Sequence, residues 1–286
     1  MPELPEVETI VNALKHPIDW PFPADTGLAL QPGVVGRRIA FVDVLWDRTV
    51  ATPGVDEFKS RVRGLAICGV ARRGKFVLID LPPLTMLIHL RMSGDLRVVE
   101  AGTPLLTHDR LRITFEDGAM LVFNDTRKFG RVWLVDDPDE ILHNLGLDPF
   151  AAELTPGAFY DALHKKHSRI KPLLLDQRFI AGLGNIYSDE ALFRAKIHPL
   201  TLSNQLTPVE AANLLQAIRD VLVESIARNG SSIDWVYRGG SFQNHFKVYQ
   251  CTGEPCEICG TPIERIVLGQ RSTHFCPNCQ LLKPFA

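Results

Sequence analysis

No apolar run in this chain approaches the roughly 18 residues that a membrane-spanning helix needs. The greasiest stretch, Phe76 to Leu90, is broken by Asp80, Pro82 and Pro83. No membrane partner is therefore expected, and the acidic first residues lack the basic and apolar pattern of a secretory leader, so the expected location is cytoplasmic. Charge of one sign is also missing. The formal net charge is -2, which argues against a nucleic-acid binder working by bulk positive charge and leaves local clustering as the way to bind an anion. One such cluster runs from Arg61 to Arg97, with seven Lys/Arg against two Asp. Cysteine is scarce, six in 286 residues. In a reducing compartment a small group of cysteines reads as metal ligands sooner than as disulfides.

The clearest signal among those cysteines is Cys256-Glu257-Ile258-Cys259, sixteen residues, then Cys276-Pro277-Asn278-Cys279. Two cysteines three apart on a tight turn hold one edge of a tetrahedron, and two such turns close it with four thiolates. A closed four-thiolate site leaves no position for water or substrate, so one structural zinc is expected, stabilising a module too small for its own core. His274 stands close enough to compete as a ligand, or to be a surface residue of the hairpin. Cys68 and Cys251 read as ordinary thiols. Arg271, between the two knuckles, suits a phosphate because the guanidinium fork matches its oxygens.

The length and the 45% hydrophobic content allow a substantial core and more than one domain. Val7, Ile10, Val11 and Leu14 form a helical stripe near the start. His16 to Gly33, with four prolines and two glycines, reads as a loop. From Arg38 to Asp136 the pattern changes to short β-rich runs with turn punctuation, such as Glu116-Asp117-Gly118, which predicts an antiparallel sandwich. After Pro138 the period is helical. Thr155-Pro156 and Thr207-Pro208-Val209-Glu210 are helix starts, the second with a capping-box glutamate. Gly182-Leu183-Gly184-Asn185 feeds a further helix whose free N-H groups could face an anion, although ordinary helix entries look similar. Ser231 to Gln250 lacks periodicity and reads as a mobile loop.

At the amino end, Met1-Pro2-Glu3-Leu4-Pro5-Glu6 allows two readings. Proline and acidic residues suit any helix N-terminus. If Met1 is removed, however, Pro2 becomes a secondary amine with a pKa near 8, a usable nucleophile, and Glu3 and Glu6 stand beside it as proton-transfer groups.

Together these features resemble the formamidopyrimidine-DNA glycosylase and endonuclease VIII family. The start Pro2-Glu3-Leu4-Pro5-Glu6-Val7-Glu8-Thr9 is similar to the formamidopyrimidine-DNA glycosylase branch, and Cys256, Cys259, Ile263, Arg271, Phe275, Cys276, Cys279 and Gln280 match the finger. The resemblance covers nearly the whole chain. It implies an α+β multidomain fold: an N-terminal antiparallel β-sandwich with a packed N-terminal helix over 1–136, a helical helix-two-turns-helix domain over 137–245 and a four-cysteine zinc finger over 246–286.

The resemblance also implies roles. Pro2 would attack the sugar of a damaged nucleotide, Glu3 would be the main acid/base, Glu6 a supporting carboxylate, and Lys75 a catalytic lysine on a strand. Met92, Arg127 and Phe129 would fill the space left by an everted base. His89, Asn185 and Arg271 would contact phosphates, and Lys171 would face DNA. The implied activity is that of a bifunctional glycosylase and abasic-site lyase acting on oxidised purines. Its implied partner is damaged double-stranded DNA, bound by a monomer. Ser231 to Gln243 is shorter than the loop that covers 8-oxoguanine in this branch, which keeps oxidised pyrimidines as an alternative substrate. A zinc protein that binds damaged DNA without chemistry is the other alternative.

Overall fold

Residues 109–115 and 120–125 show how the first part is built: apolar and polar side chains alternate along the first run, the second is an apolar run buried on both faces, and across a glycine turn the two pair as an antiparallel hairpin. The computed structural model describes residues 1–15, 33–232 and 239–283, so the proline-rich segment 16–32 and residues 233–238 lie outside the described residues. Two compact units result, one of Met1–His143 with Asn229–Gly240 and one of Asn144–Arg228 with Ser241–Ala286.

The first unit begins with helix α1 (Leu4–Lys15) and continues through β1 (Ile39–Val44), β2 (Val50–Thr52), helix α2 (Val55–Val62), β3 (Gly69–Arg73), β4 (Phe76–Leu81) and β5 (Leu84–His89). It is completed by β6 (Gly94–Val99), β7 (Asp109–Phe115), β8 (Met120–Asp125), β9 (Arg131–Val135) and a short α3 (Asp139–Leu142). One sheet has the order β1-β7-β8-β6 and the other β2-β9-β5-β4-β3. All described pairings in this unit are antiparallel except β2 with β9, a short parallel addition at the edge of the second sheet. Val42, Ile113 and Phe123 of one sheet and Ile79, Met86 and Val132 of the other enter a single buried cluster, as a sandwich requires. Val7, Ile10, Val11 and Leu14 of α1 join that cluster, and Glu8 fixes the helix to β3 through a 2.6 Å ion pair with Arg72.

In the second unit the helices are α4 (Pro156–His164), α5 (Ile170–Leu175), α6 (Asn185–Arg194) and α7 (Pro208–Ile226). Both N-caps read from the sequence are present. The Thr155 hydroxyl accepts from Ala158 N-H, and Thr207 with Glu210 forms a complete capping box. Between α5 and α6 the chain makes two turns locked by the amide of Gln177, whose oxygen accepts from Gly182 N-H while its nitrogen donates to the Leu183 carbonyl. The hairpin β10 (Glu264–Leu268) and β11 (Arg271–Phe275) completes the unit.

The expectation of a mobile loop over Ser231 to Gln250 needs correcting for residues 239–250. Phe242 and Val248 are buried, and Phe242, Phe246, Tyr249 and His274 form a chain of edge-on ring contacts. Aromatic burial supplies the order that hydrophobic periodicity did not signal. The carboxylate of Glu190 accepts from the N-H groups of Lys247, Val248 and Tyr249 and anchors the same stretch. Burial pushes the Glu190 carboxyl above its ordinary pKa, and those three N-H groups pull against the shift.

Candidate DNA-repair site

Chain ends usually fray, but Pro2, Glu3 and Leu4 are buried in the first unit while Met1 remains 43% exposed. The cause is Glu6. One carboxylate oxygen accepts from Glu3 N-H at 2.9 Å, and the other accepts from the Ser231 N-H at 2.8 Å and its hydroxyl at 3.0 Å. Gly230 makes this approach possible: its φ is +76°, and a Cβ there would meet a Glu6 oxygen at 2.8 Å. Glu6 thus caps the helix as any helix-start glutamate could, and it also holds the Pro2-Glu3 dipeptide in place.

Lys75 sits on the Gly74-Lys75 turn between β3 and β4, not on a strand, because Gly74 takes a positive φ of 56° there. Its side chain is buried. Arg72, the partner of Glu8, also donates to the Gly74 carbonyl at 3.2 Å, so α1 and the lysine turn share one tie. His89, at the end of β5, stacks edge-on against Phe76 with ring centres 4.7 Å apart. Burial first, then the charges of Arg91 and Lys75, push its pKa down from 6.5 to about 3. Nδ1 accepts the Arg91 N-H at 3.0 Å, so the neutral ring carries its proton on Nε2 and can offer a donor there.

Met92 is half-buried in the β5–β6 turn, and Arg127 and Phe129 are exposed in the β8–β9 turn. The Arg127 guanidinium lies 5.0 Å from the Phe129 ring centre. Lys128 between them takes a positive φ of 60° and places its ammonium 4.1 Å from the Trp46 ring centre. Asp125, which the sequence reading missed, ends β8 just ahead of this turn and is buried.

In the second unit, Asn185 opens α6 and donates its amide to the Ser272 carbonyl at 2.9 Å, one residue beyond the exposed Arg271. Lys171 differs from expectation. Instead of facing DNA, its side chain is fully buried, ion-paired with Asp189 and donating to the same Ser272 carbonyl at 3.2 Å. His274 is not a surface residue and does not join the cysteines: its ring and its backbone N-H each lie 3.1 Å from Asp189. Asp189 had no signal as a partner, since Lys171 is 18 positions away from it and His274 is 85.

Cys256, Cys259, Cys276 and Cys279 bring their sulfurs within 4.8 Å of one another. The Cys259–Cys276 and Cys256–Cys279 separations are 3.5 and 3.9 Å. Zinc–sulfur bonds of about 2.3 Å in a tetrahedron require about 3.8 Å between sulfurs, so this donor set fits one structural zinc.

Three family models cover most of the chain: the formamidopyrimidine-DNA glycosylase N-terminal domain at residues 26–132, its H2TH domain at 145–236, and the zinc finger found in FPG and IleRS at 253–281. A formamidopyrimidine-DNA glycosylase of Chloroflexus aurantiacus is 43% identical over 290 residues, covering 98% of each chain. This chain belongs to the formamidopyrimidine-DNA glycosylase family.

Another member of that family, from Enterococcus faecalis, is 41% identical over 99% of this chain and 98% of its own. Among solved structures, the formamidopyrimidine-DNA glycosylase of Lactococcus lactis bound to abasic-site DNA superposes with a TM-score of 0.84 at 35% identity, over 98% of this chain and 99% of that one. The Lactococcus lactis enzyme has also been solved with oxidised-pyrimidine DNA, at a TM-score of 0.85 and 35% identity over 98% and 100% of the two chains. The present family member is accordingly a DNA glycosylase of DNA repair with an α+β multidomain fold and a four-cysteine zinc finger. Among its described residues, no helix is long and apolar enough to cross a membrane.

Proposed function

We propose that this glycosylase removes oxidised purines, 8-oxoguanine and formamidopyrimidines, from double-stranded DNA and then cleaves the abasic site as a lyase. The observation that carries the reading is the burial of Pro2 and Glu3 at the head of α1, with Glu6 holding the Glu3 N-H. Removal of Met1 frees the Pro2 nitrogen in a site that is already ordered. Its lone pair attacks C1' of the everted nucleotide, the bond from C1' to the base breaks, and the base leaves with the electron pair and takes up the proton that the Pro2 nitrogen sheds. Glu3 protonates the ring oxygen as the C1'–O4' bond opens, leaving an iminium between Pro2 and C1'. The iminium acidifies the C2' proton, whose loss expels the 3' phosphate, and a second elimination expels the 5' phosphate. Lys75 and the Nε2–H of His89 serve the DNA backbone near this centre. Met92, Arg127 and Phe129 occupy the space of the everted base, offsetting the few kcal/mol of lost stacking. Asn185 and Arg271 take phosphates in the second unit, and Lys171 acts through the hairpin that carries Arg271.

Borohydride reduction of zinc-loaded protein lacking Met1, mixed with 8-oxoguanine opposite cytosine or with an abasic-site duplex, should leave a covalent protein–DNA adduct. No adduct with either duplex would end the lyase reading. A second reading, the same chemistry on oxidised pyrimidines, draws on the shorter Ser231 to Gln243 segment and on the Lactococcus lactis complex with oxidised-pyrimidine DNA. Excision rates on matched duplexes carrying each lesion would separate the two.

A further inference from the structure

The three side chains assigned to the vacated base position come from two separate turns, and one buried carboxylate joins those turns. Asp125 accepts a short hydrogen bond from the Ser93 hydroxyl and a 3.1 Å bond from the Arg127 N-H with one oxygen, and a 2.7 Å bond from the Gly130 N-H with the other. The Ser93 hydroxyl in turn accepts from Arg127 N-H at 3.0 Å. Ser93 follows Met92, Arg127 is bound directly, and Gly130 follows Phe129, so each of the three is bound by Asp125 or lies next to a residue that is.

The clamp is closely built. A Cβ at Gly130 would overlap the Phe123 ring and come within 3.2 Å of an Asp125 oxygen, so only glycine lets the N-H reach the carboxylate. Asp125 is 1% exposed, and the nearby Arg110 guanidinium donates to its backbone carbonyl at 2.8 Å rather than to its carboxylate. Its charge therefore falls on one hydroxyl and two backbone donors, which makes these bonds stronger and shorter than neutral ones. A buried carboxylate that binds only the two turns is hard to account for as generic core stabilisation, which an apolar side chain would supply without desolvating a charge.

We propose that Asp125 is a positioning residue that sets the relative placement of Met92, Arg127 and Phe129, so that the three enter the DNA as one unit. This rests on the function proposed above. It touches neither the sugar nor the base; its effect is confined to steps in which a base must be displaced from the stack.

The test compares wild type with Asp125→Asn, both zinc-loaded and without Met1, on two substrates. In Asn the shape is kept, but one acceptor becomes an N-H donor, so at least one of the clamp's bonds is lost. Excision of 8-oxoguanine from duplex should fall by about 100-fold, the scale of a misplacement of about 1 Å. The fluorescence rise of a 2-aminopurine placed next to the lesion, which reports unstacking, should slow in parallel. Borohydride trapping on an abasic site in a single strand, where no base pair has to be opened, should stay at the wild-type level. Wild-type excision and fluorescence kinetics in Asp125→Asn would overturn the proposal, as would an equal loss on both substrates, which is the mark of a general structural role. Should Asp125→Asn fail to fold, Ser93→Ala, which removes the hydroxyl that ties the Met92 turn to Asp125 and to the Arg127 N-H but keeps the carboxylate's own bonds to Arg127 and Gly130, decides: it should slow duplex excision and spare single-strand trapping, and wild-type behaviour on both would overturn the clamp. Absence of trapping in the wild type would instead remove the lyase reading itself.

Discussion

His89 and Arg271 are both assigned to phosphates, yet their physical contributions differ. On that proposal the histidine, its pKa pushed down to about 3 by burial, would give only a hydrogen bond, whereas the arginine would displace a counterion. In a salt titration of DNA binding, Arg271→Ala should lower the slope of log K against log salt by about one. His89→Ala should weaken binding and leave the slope unchanged, and a slope change equal to that of Arg271→Ala would mean that the ring is protonated on DNA. The same histidine sets an acid limit. Its folded pKa of about 3 lies below the unfolded 6.5, so its neutral ring contributes stability that is fully present above about pH 6.5 and is lost as pH falls toward 3. Denaturant unfolding across that window should show a flatter pH dependence for His89→Gln than for wild type, and superimposable curves would refute it.

At the scale of elements, the hairpin of β10 and β11 rests on α5 through Lys171 and on α6 through Asp189 and Asn185, three side chains that converge on residues 272 and 274. Breaking a fully buried ion pair from one side leaves an uncompensated charge. Asp189→Asn should therefore cost the second unit about 3–5 kcal/mol. Adding Lys171→Met should recover part of that loss in a thermal melt; a double variant less stable than Asp189→Asn alone would show that the pair is not the source. Lys171 marks where sequence reading stopped. Ile170-Lys171-Pro172 looks like an exposed basic position, because the carboxylate that buries it comes from another helix. Local signals were far better preserved. The Thr207–Glu210 capping box, the Gly118 turn, the alternation in β7 and the short apolar run of β8 are all readable within a few residues, and the cysteine spacing carries the finger almost by itself. What escaped was set by distant partners: the short β2 and α2, the Lys75 turn, the aromatic chain from Phe242 to Tyr249, and the partners of Glu6 and Asp125.

Across the whole molecule, the function proposed above puts the chemistry on one compact unit and divides the grip on DNA between both, with His89, Met92, Arg127 and Phe129 on the same unit as the chemistry. Pro2, Glu3, Glu6 and Lys75, the residues proposed for the chemistry, belong to the first unit, and Asn185 and Arg271, proposed for phosphates, belong with the zinc cysteines to the second. Cys256 and Cys276 also pack with Phe193 of α6 and with Val248, so the metal stabilises more than its own turns. Cys276→Ser or zinc chelation should abolish DNA binding and loosen amide protection along α6, while the strands of the first unit keep theirs. Hydrogen exchange resolved by segment reads both, and intact duplex affinity after zinc loss would contradict the assignment of Arg271. The buried amino end bears on how the protein can be made. If Pro2 acts as proposed, a fusion partner left on that end would keep its nitrogen a plain amide and mute the chemistry without touching the zinc hairpin, and a preparation carrying such a leader would be a lesion-seeking probe that marks damage and leaves the strand whole.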